Sequence, residues 1–288
     1  MVKIKLISLD VDGTLLSSKG ELPAQNKEAV QAANREGVRV ILNTGKPPST
    51  LRNLIAELNL RDPISTLGGA LILDISSPGH WKTIHSAVLP EDLLSRLNDL
   101  VGDLPLSIQI NTERGDYFYH NHKTDPDYLD YFNNLYLVKN GFPATRTLDE
   151  SPLEDFTADR SPVIKVTFHS DEDEPVDEAF NRIKEIEDEI VMIGYSCDRT
   201  IDISPRPSGK LQAIQFLCGL YDLDSENIMA MGDYETDLEL INWAGTGIVM
   251  ENAPEYVRAK APLIGPSNDQ AGVAQMIETY VLKSLQGG

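Results

Sequence analysis

Short apolar runs alternate with helix-like segments along much of this 288-residue chain. The first run, Leu6 to Leu9, is followed by a helical pattern from Pro23 to Glu36 and by a second apolar run, Val38 to Leu42. Runs of this kind are typical of buried parallel strands that are joined by helical crossovers. The alternation therefore predicts an α/β fold built on a doubly wound parallel sheet.

The middle of the chain has a different order of predicted helices and strands. Between about His85 and Cys197 we predict helices and strands in a mixed order, which indicates a second α/β unit inserted into the first. The helices are predicted near Glu91–Val101, Asp127–Val138 and Val176–Asp188, and the strands near Leu106–Ile110, Val163–Phe168 and Ile190–Gly194. From Thr200 the first pattern resumes, with the run IDIS and a helix from Ser208 to Tyr221. We predict a core of residues 1–84 and 198–288 and an inserted α/β cap domain of residues 85–197.

Charge and composition narrow the possible partners. The chain has 25 Lys and Arg against 45 Asp and Glu, and a net charge of -20 argues against binding to nucleic acid or to an anionic membrane. No apolar stretch approaches the roughly 20 residues of a membrane-spanning helix, and the start reaches Asp10 too soon for a signal peptide. With two cysteines, a disulfide scaffold is excluded. We expect a cytoplasmic protein, monomeric or homodimeric, with reduced thiols.

Two carboxylates, Asp10 and Asp12, follow directly on the first apolar run. Two carboxylates that are one residue apart repel each other unless a cation lies between them or one of them holds a proton. A calcium loop also spaces acids by two, but its sixth position requires glycine and is Leu15 here. Two interpretations of these acids remain, a structural turn and a catalytic pair. The catalytic crevice of an open parallel sheet lies beyond the carboxyl ends of its strands, which is where this pair is expected.

The ends of other predicted strands also carry polar groups. Thr44-Gly45-Lys46 follows the second strand, Lys210 opens a helix after Ser208-Gly209, and Asp233 and Asp237 follow a third strand. Taken singly, each is more often an ordinary surface or turn residue. Because they all follow strands or begin the next helix, we expect them at one edge of the sheet. Carboxylates together with a hydroxyl and a lysine indicate a magnesium-assisted phosphate site.

These stretches resemble the four motifs of the haloacid dehalogenase-like phosphohydrolases, in the Cof-type branch that has a large inserted C2 cap. The resemblance rests on DVDGTLL, TGK, the later lysine and GDYETD, followed by AGTGIVMENAPEYVRAKA, over residues 1–84 and 198–288. It implies a Rossmann-like core and hydrolysis of phosphate esters through an aspartyl-phosphate. By this resemblance Asp10 is the nucleophile and Asp12 is the general acid and base.

The resemblance also implies a phosphate site and a metal site. Thr44 and Lys210 would hold the transferring phosphoryl group, within a binding set that we complete with Gly13, Gly45 and Lys46. Mg²⁺ would bind Asp10, the backbone carbonyl of Asp12 and Asp233, with Asp237 supporting that shell. The chain departs from the family pattern at three positions, where Lys46, Leu211 and Thr236 replace the usual arginine, glycine and asparagine.

Physical chemistry supports these residue types independently. A phosphate dianion repels an attacking carboxylate, so Asp10 can react only if Mg²⁺ and Lys210 neutralise the phosphoryl oxygens. Attack by Asp10 and then by water replaces one difficult step with two easier ones. Asp12 should point away from the metal, because the cation would oppose its protonation.

The inserted segment is expected to select the substrate and to exclude water when it closes. Its basic candidates are Arg114, His120, His122, Lys123, Lys165 and Arg199, although scattered basic residues are mostly solvated. A metal pair at His120 and His122 is disfavoured against the usual zinc spacings. The aromatic and apolar set at helical spacing is expected to form cap core and is Tyr128, Tyr131, Phe132, Leu135 and Tyr136.

The predicted function is a Mg²⁺-dependent phosphatase for a small phosphorylated metabolite, with sugar phosphates as the expected substrate class. One alternative is a phosphomutase, in which the phosphoryl group passes from Asp10 to a second sugar hydroxyl. The other is a phosphometabolite-binding protein without turnover. Release of free phosphate would distinguish a phosphatase from both a phosphomutase and a binding protein.

Overall fold

The computed structural model describes residues 4–77, 81–120, 145–156, 160–187, 191–197 and 199–283. These residues form two compact units. The first comprises the described parts of 1–46, 53–84 and 209–288, and the second those of 47–52 and 85–208. Among the described helices, none combines the length and the apolar character that crossing a lipid bilayer requires.

Fourteen strands and eight α-helices occur in the described residues. The strands are β1 (Leu6–Leu9), β2 (Arg39–Leu42), β3 (Ile64–Thr66), β4 (Leu71–Asp74), β5 (Lys82–Ser86), β6 (Ser107–Thr112), β7 (Asp116–Tyr119), β8 (Thr145–Leu148), β9 (Val163–His169), β10 (Val191–Cys197), β11 (Thr200–Pro205), β12 (Ile228–Gly232), β13 (Thr246–Met250) and β14 (Ile264–Gly265). The helices are α1 (Ala24–Arg35), α2 (Arg52–Leu58), α3 (Leu93–Val101), α4 (Asp173–Ile183), α5 (Lys210–Tyr221), α6 (Leu238–Trp243), α7 (Glu255–Arg258) and α8 (Gly272–Ile277).

A five-stranded parallel sheet forms the centre of the first unit, in the order β14-β13-β12-β1-β2. The chain adds β2 on one side of β1 and later adds β12 to β14 on the other side, which is the doubly wound arrangement. All four residues of β1 are buried, as expected for a strand that is covered on both faces. Leu9 lies opposite Leu42 and Met231, so the carboxyl ends of β1, β2 and β12 share one edge of the sheet. The predicted α/β class is confirmed.

A six-stranded sheet forms the second unit, in the order β10-β11-β9-β6-β7-β8. Neighbouring strands are antiparallel except β7 and β8, which are parallel. Helices α3 and α4 pack on one face, where Leu97 and Val176 join Ile110, Val166 and Phe168 in one apolar core. Alternate strand residues therefore point into this core, and the others form a second, more polar face.

Two sequence predictions about the domain organisation are wrong at the second junction. The run IDIS was expected to return the chain to the parallel sheet, but it belongs to β11, which pairs with β9 and β10 in the antiparallel sheet. The second unit consequently ends at Ser208 and not at Cys197, and it also includes residues 47–52. The helix predicted at Asp127–Val138 lies outside the described residues, together with its aromatic set.

Candidate active site

The turn after β1 carries the first two acids. Gly13 adopts a positive φ of 70°, and a Cβ atom at this position would lie 2.2 Å from Oδ2 of Asp233. The next residue, Thr14, is buried and donates a hydrogen bond of 2.9 Å to Oδ1 of Asp233. Glycine is therefore required here both for the backbone conformation and for the close approach of a carboxylate.

Lys210 begins α5 and brings a cation to the first acid. Its Nζ atom lies 2.9 Å from Oδ1 of Asp10 and 2.6 Å from Oδ1 of Asp237. The exposed fraction is 8% for Asp10, 7% for Lys210 and 2% for Asp237, so water screens these charges poorly. Burial alone would lower the pKa of the Lys210 ammonium, but the charges of Asp10 and Asp237 raise it above its ordinary value. Lys210 is thus held as a buried cation.

Asp10 is a buried carboxylate with a strongly raised pKa. Burial raises the pKa of Asp10 to about 7, against the lowering effect of the Lys210 charge, and Asp237 and Asp233 raise it further. Oδ1 of Asp10 contacts Lys210, whereas Oδ2 has no hydrogen-bond partner among the described residues. This second oxygen is available to a cation or to a ligand.

Three carboxylates form a possible metal site. Asp10, Asp233 and Asp237 each place one oxygen within 4.8 Å of the other two, and no other such cluster occurs among the described residues. Burial raises the pKa of Asp233 to about 6, while the hydrogen bond from Thr14 opposes the shift. Because the ligand set consists of carboxylate oxygens, it suits Mg²⁺ better than Zn²⁺. Asp237 is already engaged, since its Oδ2 accepts a hydrogen bond of 3.2 Å from the backbone of Tyr234.

The loop after β2 places Thr44, Gly45 and Lys46 in the same unit. Thr44 is buried, and its Oγ1 accepts a hydrogen bond of 3.2 Å from the backbone N–H of Lys46. Nζ of Lys46 lies 3.1 Å from Oδ2 of Asp12, whose side chain is 59% exposed. Asp12 thus turns away from the buried carboxylates and towards a lysine.

Two asparagines support these groups, and sequence reasoning missed them: Asn43 is buried, whereas Asn252 is exposed. Asn43 donates hydrogen bonds of 2.9 Å to the carbonyl of Lys210 and of 3.3 Å to Ser8, and it accepts one of 2.7 Å from Ser65. Asn252 donates a hydrogen bond of 2.8 Å to the carbonyl of Gly13. Asn43 directly precedes the motif TGK, and Asn252 lies within the stretch AGTGIVMENAPEYVRAKA, so these positions were the available signal for them.

The candidates in the inserted segment separate into two groups. His122 and Lys123 lie outside the described residues, so the predicted histidine pair cannot be placed. Lys165 forms an ion pair of 2.5 Å with Asp202 across adjacent strands, and His120 stacks beside Phe118 with ring centroids 6.5 Å apart. The guanidinium group of Arg199 hydrogen-bonds to the carbonyl of Asp171.

Comparison with protein families and known proteins gives consistent matches over nearly the whole chain. A family model described as haloacid dehalogenase-like hydrolase matches residues 7–277. Phosphatase YwpJ of Bacillus subtilis (strain 168) is 25% identical over 288 residues, covering 96% of this chain and 99% of that protein. From the same organism, 5-amino-6-(5-phospho-D-ribitylamino)uracil phosphatase YcsE is 26% identical over 281 residues, covering 98% and 97%.

A solved structure shows the same architecture. The crystal structure of a haloacid dehalogenase-like hydrolase from Bacteroides thetaiotaomicron superposes with a TM-score of 0.82 at 27% identity. The superposition covers 96% of this chain and 99% of the other. The likeness therefore extends through both compact units and is not limited to the parallel sheet.

Proposed function

The chain belongs to the haloacid dehalogenase-like hydrolase family and is a phosphatase, and from this premise we propose that it hydrolyses small phosphorylated metabolites with Mg²⁺ through an aspartyl-phosphate on Asp10. The observation that carries the proposal is the ion pair of 2.9 Å between Asp10 and Lys210. It joins a buried carboxylate with one oxygen unoccupied by protein donors to a cation that can also neutralise a phosphoryl oxygen.

The carboxylates of Asp10 and Asp233 are the ligands that we assign to Mg²⁺, together with the backbone carbonyl of Asp12. When bound, the ion supplies positive charge that offsets the repulsion between Asp10 and the phosphate dianion. We assign Asp237 a supporting role, because its two oxygens already accept hydrogen bonds from Lys210 and from the backbone of Tyr234. Asp237 then fixes the position of the Lys210 ammonium.

Asp12 is proposed as the general acid and base. Its carboxylate is exposed and pairs with Lys46, apart from the buried cluster of Asp10, Asp233 and Asp237. It can therefore give a proton to the leaving alkoxide and later accept one from the attacking water without competing for the metal. Lys46, which stands where the family usually has arginine, would orient Asp12 as well as bind phosphate with Thr44 and Gly45.

A hydroxyl-rich substrate, such as a sugar phosphate, fits the polar face of the second unit best. On that face Thr167 donates a hydrogen bond of 2.7 Å to Asp202, which also pairs with Lys165. A preorganised group of this kind can exchange hydrogen bonds with substrate hydroxyls. The name of the relative YcsE includes a phosphorylated ribityl chain, which is also hydroxyl-rich. A cytoplasmic location and a monomeric or homodimeric state stay predictions.

The test is release of phosphate from a panel of sugar and polyol phosphates, assayed with Mg²⁺ and after exhaustive chelation. We expect activity that chelation abolishes and that added Mg²⁺ restores. Formation of an isomeric sugar phosphate without free phosphate would support a mutase instead. Binding of phosphate esters without turnover would support a phosphometabolite-binding protein that has no catalytic activity. Full activity after chelation would contradict the assignment of Mg²⁺.

A further inference from the structure

A second polar cavity lies at the opposite end of the parallel sheet from the candidate active site. It has a volume of about 810 Å³ and is lined by residues at the amino ends of β1 and β2, including Lys5 and Arg39. Lys5 precedes β1 and Asp10 follows it, so roughly 16 Å of extended chain separate the two ends. The volume lies within the usual range of small-ligand sites, about 300–1,000 Å³.

Among the described residues, four cations and one carboxylate line this cavity. The cations are Lys5, Arg35, Arg39 and Arg61, and the carboxylate is Asp62. The side chains of Lys5, Arg35 and Arg61 have no ion-pair or hydrogen-bond partner among the described residues. The chain as a whole is acidic, with 45 Asp and Glu against 25 Lys and Arg. A cavity lined by three unpaired cations therefore has the opposite sign of charge to the rest of the chain.

Arg39 is held in a fixed orientation within the cavity. Its Nη1 donates a hydrogen bond of 2.7 Å to Oδ1 of Asp62, and its guanidinium carbon lies 3.8 Å from the centre of the Tyr221 ring. Asp62 is fixed in turn, because its Oδ2 accepts a hydrogen bond of 3.3 Å from the backbone of Val40. The remaining guanidinium nitrogens of Arg39 have no hydrogen-bond partner among the described residues. A preorganised arginine fork of this kind matches the geometry of phosphate oxygens.

We propose that this cavity is a second anion site that binds a small, multiply charged phosphate compound, such as a bisphosphate, independently of the catalytic edge. Three cations without partners provide the charge, and Arg39 provides a rigid donor. A single phosphate would fill a small part of the volume, whereas two linked phosphates would fill more of it and carry more charge to the four lining cations. Arg35 also lies at the end of α1, where a cation stabilises the helix terminus, so the experiment must separate that effect from ligand binding.

The probe is methylenediphosphonate, which cannot be hydrolysed, titrated calorimetrically into the full-length protein in metal-free buffer at low salt. We expect saturable binding to the wild type and an affinity at least about tenfold lower in the Arg35→Ala/Arg61→Ala double variant, since each arginine contributes charge-assisted hydrogen bonds. Lys260→Ala is the matched control, because Lys260 is an exposed cation that lies 6.0 Å from the Tyr256 ring and outside the cavity. It should keep the wild-type affinity.

Hydrogen exchange locates the bound probe. We expect added methylenediphosphonate to slow exchange at residues 34–39 and 58–62. No binding to the wild type, equal affinity in the double variant, or protection confined to residues 10–14 and 44–46 would each overturn the proposal. If the double variant loses its circular dichroism spectrum, the exposed Arg61→Ala replacement alone must lower the affinity by about half an order of magnitude or more, and an unchanged value would again overturn it.

Discussion

Lys210 places its ammonium nitrogen 2.9 Å from Oδ1 of Asp10, with both side chains almost entirely shielded from solvent. In this environment the charges stabilise each other strongly, but only while both are present. The same lysine contacts Asp237 at 2.6 Å. One buried cation therefore contacts two buried carboxylates, which links the stability of the fold to the catalytic group.

Replacing Lys210 by methionine should reduce both activity and stability. We expect phosphatase activity to fall at least about 100-fold, because the charge that neutralises the phosphoryl group is lost. The free energy of unfolding at pH 8 should fall by about 3–5 kcal/mol, since Asp10 and Asp237 remain buried without a cation. Urea titrations at pH 6 and pH 8 measure this loss, which should be smaller at pH 6 because the Asp10 carboxyl, whose pKa is raised by burial, can then bind a proton. Lys260→Met is the exposed control, and equal losses in both variants would contradict the argument.

Replacing Gly13 by alanine should damage the metal site in a way that backbone strain does not explain. Gly13 and Gly20 have nearly the same φ, 70° and 71°, but a Cβ atom at Gly13 would meet Asp233 at 2.2 Å and one at Gly20 would meet nothing within 4 Å. Both alanine variants should lose about 1 kcal/mol of stability from the positive φ. Only Gly13→Ala should need more Mg²⁺ for half-maximal activity. A normal Mg²⁺ requirement in Gly13→Ala would show that Asp233 does not bind the metal from this position.

The convergence of the strand-end residues could be predicted from the sequence because parallel strands have a fixed direction. Once β1, β2 and β12 pair in parallel, the residues that follow Leu9, Leu42 and Gly232 must lie at one edge of the sheet. The positions of Asp10, Asp233 and the Thr44 loop follow from this rule. The helix predicted from Ser208 to Tyr221 begins at Lys210 in the structure.

The placement of β11 was predicted wrongly, although Ile201 and Ile203 alternate with polar residues, which is more typical of an antiparallel strand with one solvated face than of a buried parallel strand. Only its pairing with β9 and β10 decides the question, and pairing depends on residues distant in sequence. The contacts of Asn43 with Ser65 and the carbonyl of Lys210 are likewise long-range. The pair of Lys46 with Asp12 depends on side-chain orientations that a sequence pattern does not specify.

Asp116 should make the stability of the second unit fall as the pH rises. Burial raises its pKa to about 6, opposed by hydrogen bonds from Ser49 at 2.5 Å and Asn111 at 2.7 Å. Because the folded pKa exceeds the unfolded value, the folded state binds more protons between pH 4 and 6, and stability is lost as the pH rises through this range. Between pH 5 and pH 8 this loss should be about 1–2 kcal/mol.

The variant Asp116→Asn tests this contribution, since a neutral amide can still accept from Asn111 and donate to Ser49. We expect the free energy of unfolding of the variant to rise by about 1–2 kcal/mol relative to that of the wild type between pH 5 and pH 8. Urea titrations across this range supply the comparison, and the difference between the two proteins removes the contributions of Asp10 and Asp233. A constant difference at all pH values would mean that Asp116 does not titrate in the folded state.

The roles of Asp10 and Asp12 can be separated by their leaving-group dependence. If Asp10 is the nucleophile, Asp10→Asn should form no phosphoenzyme from any ester. Loss of the general acid in Asp12→Ala should cost about 10²–10⁴ in rate with a poor alkoxide leaving group, but little with an aryl phosphate whose alcohol leaves unaided. Because water attack would still lack its base, Asp12→Ala should release a rapid burst of aryl alcohol, close to one per enzyme, and then stall. Mass spectrometry should find the phosphoryl group on the peptide that contains Asp10, whereas a burst kept by Asp10→Asn and absent from Asp12→Ala would reverse the two roles.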